Sequence, residues 1–256
     1  MTGSNAFWIG SATHVGKART RNEDRFMTSA QSGIFAVADG MGGHEAGDVA
    51  SSIIVEALST IAPQPDSASL LKACNSRLIE ANDRIRTFSA RRGGAIMGST
   101  VVALAIWDNR YACLWAGDSR AYLSRGKSLR QLTRDHTEVE ELLEQNLLTA
   151  EEARVWPRRN VITRALGVAD HLSLELACGE AQPGDAFLLC SDGLTLHVEP
   201  DELQSEIETR GPQRACDELI DLALARGGLD NVTAIVVRYQ ADEETTIVPA
   251  GGRRSR

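Results

Sequence analysis

The sequence predicts an α+β domain built in layers, and three features predict it. Helical segments come as consecutive pairs, they fall between groups of strands, and the strand candidates are short and bounded by Gly, Asp or Asn. Single βα alternation would imply a parallel doubly wound sheet. Paired helices between strand groups imply separate sheet and helix layers instead.

The elements follow in order. Residues 7–13 and 25–30 are short strands, and 33–38 (GIFAVA) is an apolar run that ends in Asp39-Gly40, as a buried strand meeting a turn should. Over 45–61, Val49, Ile53, Ile54, Ala57, Leu58 and Ile61 recur at helical spacing, and the pattern stops before Pro63. A second amphipathic helix over 70–88 carries Leu71, Leu78, Ala81 and Ile85 on one side. Strands at 100–107 and 111–116 join through Asp108-Asn109 as a hairpin, and a third covers 121–124. The segment 133–163 is polar and charge-rich, with one helix at 138–145, and reads as an insertion on the surface. Strands resume at 172–177 and 186–190, helices at 200–208 and 213–225, and a last strand covers 232–239. Residues 241–256 lack periodicity and are expected to form a tail, so the domain is expected to span 1–240.

Composition narrows the class. At 256 residues and 43% hydrophobic, the chain can bury a core without disulfides or a structural metal. A net charge of −8 argues against sequence-independent nucleic-acid binding, which needs Lys and Arg on phosphates. Cys74, Cys113, Cys178, Cys190 and Cys216 form no C-x-x-C pair, which suits a reducing compartment. With no signal-like N-terminus and no long apolar run, the expectation is a cytoplasmic protein without membrane insertion.

One acidic pattern repeats. Asp39 ends AVADG, Asp118 ends LWAGDS, Asp192 ends LLCSDG, and Asp230 opens DNVTAIVV. A single Asp-Gly is most simply a turn. Four carboxylates carried to strand ends in one chain would repel one another, and cations relieve that repulsion. No Cys or His is placed to join them, so the donors are oxygens, which select Mg²⁺ or Mn²⁺. Two such ions can activate a water and clamp a phosphoryl group.

The motifs GKARTRNED, VADGMGGHEAGDVAS, GSTVV, AGDSRAYL, LTRDH, LCSDGL and DNVTAIVV, in that order, resemble the PPM (PP2C-type) metal-dependent protein phosphatases in their compact bacterial form, from about Gly10 to Tyr239. The resemblance implies a four-layer αββα sandwich with two antiparallel sheets and a flap at 133–163. It implies Asp39 as the carboxylate bridging two central metals, the Gly40 carbonyl on the second, Asp192 and Asp230 on the first, and Asp118 with Asp192 on a weaker third ion. Glu23 and Asp24 match the acidic pair that meets the metals through their waters, Glu23 counting with the metal set and Asp24 and Asn231 with its support. Arg19 matches the arginine that grips substrate phosphate, a task suited to a guanidinium fork. The catalytic set is then Arg19, Asp39, Asp192 and Asp230.

The implied reaction is direct attack by metal-activated water on phosphoserine or phosphothreonine, without a phosphoenzyme. Absence of a C-x₅-R motif agrees. Where many eukaryotic members have His after Asp-Gly, this chain has Met41; either His44 or a metal-bound water would then protonate the leaving group. His136 reads as a tie between insertion and core, Ser99 and Thr100 as a polar strand start, and Ser119 and Ser191 fit no nucleophile elbow. Arg154, Arg158 and Arg159 are either peptide contacts on the flap or ordinary solvated charge. Thr245 and Thr246 form an acidic threonine patch that a kinase could phosphorylate. Phosphoproteins and an opposing Ser/Thr kinase are the expected partners of a monomer. The alternatives are a metal-binding pseudophosphatase and a small-molecule phosphohydrolase.

Overall fold

The computed structural model describes residues 6–42, 46–94 and 96–240. The chain runs β1 (Ala6–His14), β2 (Asp24–Ser29), β3 (Ile34–Gly42), α1 (Ala46–Ser59), α2 (Ser67–Arg91), β4 (Met97–Ser99), β5 (Val101–Trp107), β6 (Arg110–Ala116), β7 (Arg120–Arg125) and β8 (Ser128–Gln131). It continues through α3 (Glu138–Glu144), α4 (Ala150–Arg154), β9 (Glu175–Glu180), β10 (Ala186–Cys190), α5 (Asp192–Thr195), α6 (Pro200–Thr209), α7 (Pro212–Ala225) and β11 (Val232–Gln240).

Two antiparallel sheets form, in the orders β1-β11-β10-β7-β8 and β2-β3-β5-β6-β9, with β4 attached to β3. The apolar run of β3 is continuous because both its faces are buried. Ile34, Ala36 and Ala38 pack toward α1 and α2, while Phe35 and Val37 enter the core between the sheets with Phe187, Leu189 and Ile235. On the far side, Val232, Ala234 and Val236 of β11 meet Ala215, Leu219 and Ala223 of α7. Three apolar interfaces therefore separate four layers, helices outside and sheets inside, as the resemblance implies.

Local chemistry sets the helix ends. The Asp66 carboxylate caps α2 by accepting the Ser69 N–H at 2.7 Å. Pro200 and Pro212 open α6 and α7, where a missing N–H is harmless. No helix among the described residues is long and apolar enough to cross a membrane.

Several expectations need correction. β3 does not stop at Asp39 but continues to Gly42, because the short β4 pairs with it beyond the main sheet. The strand expected at 172–177 lies at Glu175–Glu180, since Leu172 and Leu174 pack on the helix-side core instead of entering the ladder with β6. Asp192 does not end a strand; it opens α5 one residue after Ser191. The insertion holds a second helix, α4, held by a reciprocal Thr149–Glu152 capping box. The 241–256 tail, with Thr245 and Thr246, and His44 lie outside the described residues.

Candidate metal centre

The fold brings the predicted carboxylates to one end of the sandwich. Asp24 opens β2 directly opposite Asp39 on β3. Asp118 sits in the turn that carries the chain from β6 in one sheet to β7 in the other. Asp192 follows β10, and Asp230 with Asn231 precedes β11. Gly40 lets this end close: a Cβ there would fall 2.1 Å from the Gly47 carbonyl oxygen, so only glycine admits the start of α1.

Hydroxyls and amides fix the backbone around the acids. Asp24, 1% exposed, accepts from Ser191 Oγ and Thr233 Oγ1 at 2.7 Å each, which staples the two sheets together. Thr100 holds Asp39 twice, its N–H donating to Asp39 O at 2.9 Å and its Oγ1 accepting the Asp39 N–H at 3.1 Å. The same Oγ1 lies 2.7 Å from Ser119 Oγ, so Thr100 and Ser119 link the Asp39 strand to the Asp118 turn. For Ser119 and Ser191 a place directly beside Asp118 and Asp192 is the available sequence signal, whereas Thr100 has no neighbouring aspartate to mark it.

Asn231 clamps the loop that carries Arg19 and Glu23. Its Oδ1 accepts the Glu23 N–H at 2.7 Å, and its Nδ2 donates to Val15 O and Arg21 O at 2.9 and 2.8 Å. Asn231→Ala removes three partly buried hydrogen bonds that hold this loop, so a loss of about 2–3 kcal/mol in urea unfolding is expected. A loss under about 0.5 kcal/mol would mean that the loop is held elsewhere.

Electrostatics single out Asp39 as the hub. Its carboxyl is held well above the usual range by burial, then by the negative charges of Asp24, Asp192, Asp118 and Asp230. Burial likewise raises Asp24, Asp118 and Asp192, with Asp192 next among the causes for Asp118 and Asp230 next for Asp192. Glu23 is raised by burial too, against the lowering effect of Arg19 and of the Asp48 N–H at the start of α1. Asp192 and Asp39 approach within hydrogen-bonding reach, although among the described residues no three Asp, Glu, His or Cys side chains close around one point. Even so, Asp24 Oδ1, Asp118 Oδ1 and Asp192 Oδ1 are buried with no hydrogen-bond partner. Unpaired buried carboxylate oxygens facing like charge call for a cation, and an all-oxygen set fits Mg²⁺ or Mn²⁺.

Arg19 stands at the rim, half exposed, with Nη2 2.7 Å from Asp230 Oδ2. A cleft of about 280 Å³ runs from Asp118 and Asp192 under the insertion, lined also by Asp135, Glu140, Arg154 and Arg159. Arg158 faces away into a 2.7 Å ion pair with Glu138. Two residues that the sequence reading left without a place here secure the Asp118 turn. Asp135 grips Arg120 through bonds of 2.6–3.0 Å. Buried His136 accepts the Gly117 N–H on Nδ1 at 3.1 Å, donates its own N–H to Gly117 O at 2.9 Å, and sets Nε2 3.2 Å from Glu175.

A two-sheet sandwich ending in buried, unpartnered carboxylates beside an exposed arginine is the arrangement that the resemblance to metal-dependent phosphatases implies. The chain belongs to the protein phosphatase 2C family, whose model matches residues 11–232. It is 36% identical over 222 residues to the serine/threonine protein phosphatase PstP of Mycobacterium tuberculosis, covering 86% of this chain but only 43% of that protein. It is 34% identical to the protein phosphatase PhpP of Streptococcus pneumoniae, covering 92% and 98% of the two chains. The solved PstP catalytic domain, which holds two manganese ions, superposes with a TM-score of 0.83 at 33% identity over 91% of this chain and 98% of that one. PppA of Pseudomonas aeruginosa, described as a key regulatory component of the T6SS, superposes at 0.84 with 42% identity over 91% and 97%.

Proposed function

We propose that this chain hydrolyses phosphoserine and phosphothreonine esters in proteins at a dinuclear Mn²⁺ or Mg²⁺ centre. Asp39, Gly40 through its carbonyl, Asp192, Asp230 and Glu23 would hold two ions, and Asp118 with Asp192 a third. Bound there, the metals would supply an activated water and neutralise phosphoryl charge. The observation that carries this reading is the set of buried, unpartnered oxygens on Asp24, Asp118 and Asp192 gathered about Asp39.

The chain's own groups do the rest. Thr100 and Ser119 keep Asp39 and the Asp118 turn in register. Asn231 holds the Arg19–Glu23 loop against β11. Arg19 uses one nitrogen on Asp230, and its remaining donors are available to a substrate phosphate at the rim. In this reading residues 1–240 are the phosphatase domain and 133–163 its flap. The chain acts as a cytoplasmic monomer that removes phosphate added by a Ser/Thr kinase.

The test is release of phosphate from a phosphothreonine peptide, with Mn²⁺ and with EDTA. Turnover that needs metal supports the reading. A protein that binds Mn²⁺ yet leaves the peptide intact sinks it. In the same assay Arg19→Ala should lower kcat/KM about a hundredfold, mainly through KM, with Arg19→Lys recovering only part, because an ammonium cannot make the bidentate contact. Unchanged KM in Arg19→Ala would remove Arg19 from phosphate binding.

A further inference from the structure

Beyond its carboxylate, β3 carries an apolar feature that phosphate chemistry does not need. The inner face of β3 is core at Phe35 and Val37 and becomes the floor of the open end at Asp39 and then Met41. Side chains alternate along a strand, so Asp39 and Met41 share that face, about 6.7 Å apart. Met41 pairs with Gly98 of β4, and Gly42 with Met97. Met97 turns into the helix-side core. Ile96, the residue before β4 begins, is 77% exposed, and continued alternation would place it on the side of Gly98 and Met41.

Glycine at 98 keeps the floor low. A Cβ there would lie 2.9 Å from Val168 Cγ2 and 3.0 Å from Met41 Cε, so these two side chains meet above it. Val168 is 57% exposed although its turn is firmly held. Ser99 and Leu166 exchange backbone bonds of 3.1 and 2.9 Å, and the Gly167 N–H donates to buried Asn82 Oδ1 at 2.8 Å. Arg86 and Asp170 form an ion pair just beyond. Isolated exposed apolar residues are ordinary. Exposed Ile96 and Val168, with half-buried Met41 against Val168 over Gly98, make an apolar surface on the Asp39 face of β3.

We propose that Met41, Ile96 and Val168 form a ledge for an aliphatic side chain of the substrate, two residues from the phosphorylated one; this rests on the phosphoprotein reading above. In an extended peptide, side chains two residues apart project to the same side at about 6.7 Å, which matches the step from Asp39 to Met41. The occupant is aliphatic because the three side chains offer no hydrogen-bond donor, and a carboxylate placed there would lose water without gaining a partner. Repulsion from the Asp39 cluster would add to that penalty.

The experiment uses phosphothreonine peptides that differ only in Leu, Ala or Glu at position −2 or +2. Wild type should prefer Leu over Glu about tenfold in kcat/KM at one of these positions, through KM. In Ile96→Ser/Val168→Ser the Leu-to-Glu ratio should fall to within about twofold; because the ratio is internal to each variant, a general loss of activity cancels. Equal rates for Leu and Glu in wild type at both positions overturn the ledge, as does a ratio unchanged by the double substitution. Wild type that cleaves p-nitrophenyl phosphate but none of the peptides removes the phosphoprotein reading itself, and the ledge with it.

Discussion

Asp39→Asn should reduce metal-dependent turnover of a phosphothreonine peptide by about a thousandfold or more while raising the melting temperature of the EDTA-treated protein by about 5 °C. The two effects have one origin. Asp39 faces the charges of Asp24, Asp192, Asp118 and Asp230, so the ionised folded protein carries their repulsion as stored instability. An amide keeps the shape and the Thr100 contacts, which use backbone groups of Asp39, and removes the charge. The metal-free fold then gains, and the carboxylate proposed to hold the metals is lost. Opposite signs for activity and stability distinguish an acid kept for binding from one kept for folding. A lowered melting temperature in Asp39→Asn without metal would make Asp39 a structural group and withdraw its assignment as the hub.

Much of this centre is legible in the chain because each carboxylate ends or borders an apolar or small-residue segment. The GIFAVA run announces a strand buried on both faces, and the strand leads straight to Asp39. Other parts are not legible, for physical reasons. β4 is three residues long and includes Gly98, too short to show a period, yet it extends β3 past Asp39 and so creates the Met41 face. The Thr233–Asp24–Ser191 staple joins residues 209 and 167 positions apart, and no local pattern encodes such a contact. Asn231 was readable as part of DNVT, but its partners Val15 and Arg21 are carbonyls, which carry no side-chain signal. Val168 meets Met41 over Gly98 only after the Leu166 turn docks on Ser99.

Between pH 5 and pH 8 the metal-free protein should lose about 5–10 °C of melting temperature, whereas the increment produced by Mn²⁺ should grow over the same range. Burial and neighbouring charge raise Asp24 and Asp118 to about 7 and Asp192 to about 6. In an unfolded chain such carboxyls titrate near roughly 3.9. A group raised on folding contributes its stability in full below the unfolded value and loses it as pH climbs through the folded one. The window is therefore about pH 4 to 7. Glu202, held down at about 2 by Arg226, changes only below it. His136, lowered by burial, works in the opposite direction, adding stability as pH rises toward its unfolded value near roughly 6.5. Comparing wild type with Asp39→Asn at each pH cancels His136 and leaves the acidic cluster. Metal requires deprotonated carboxylates, so its benefit is small where they hold protons and large where they repel. A metal-free melting temperature that stays flat or rises from pH 5 to 8, with no difference in slope between wild type and Asp39→Asn, would mean that the acids are already satisfied in the folded chain. The case for a cation among them would then fail.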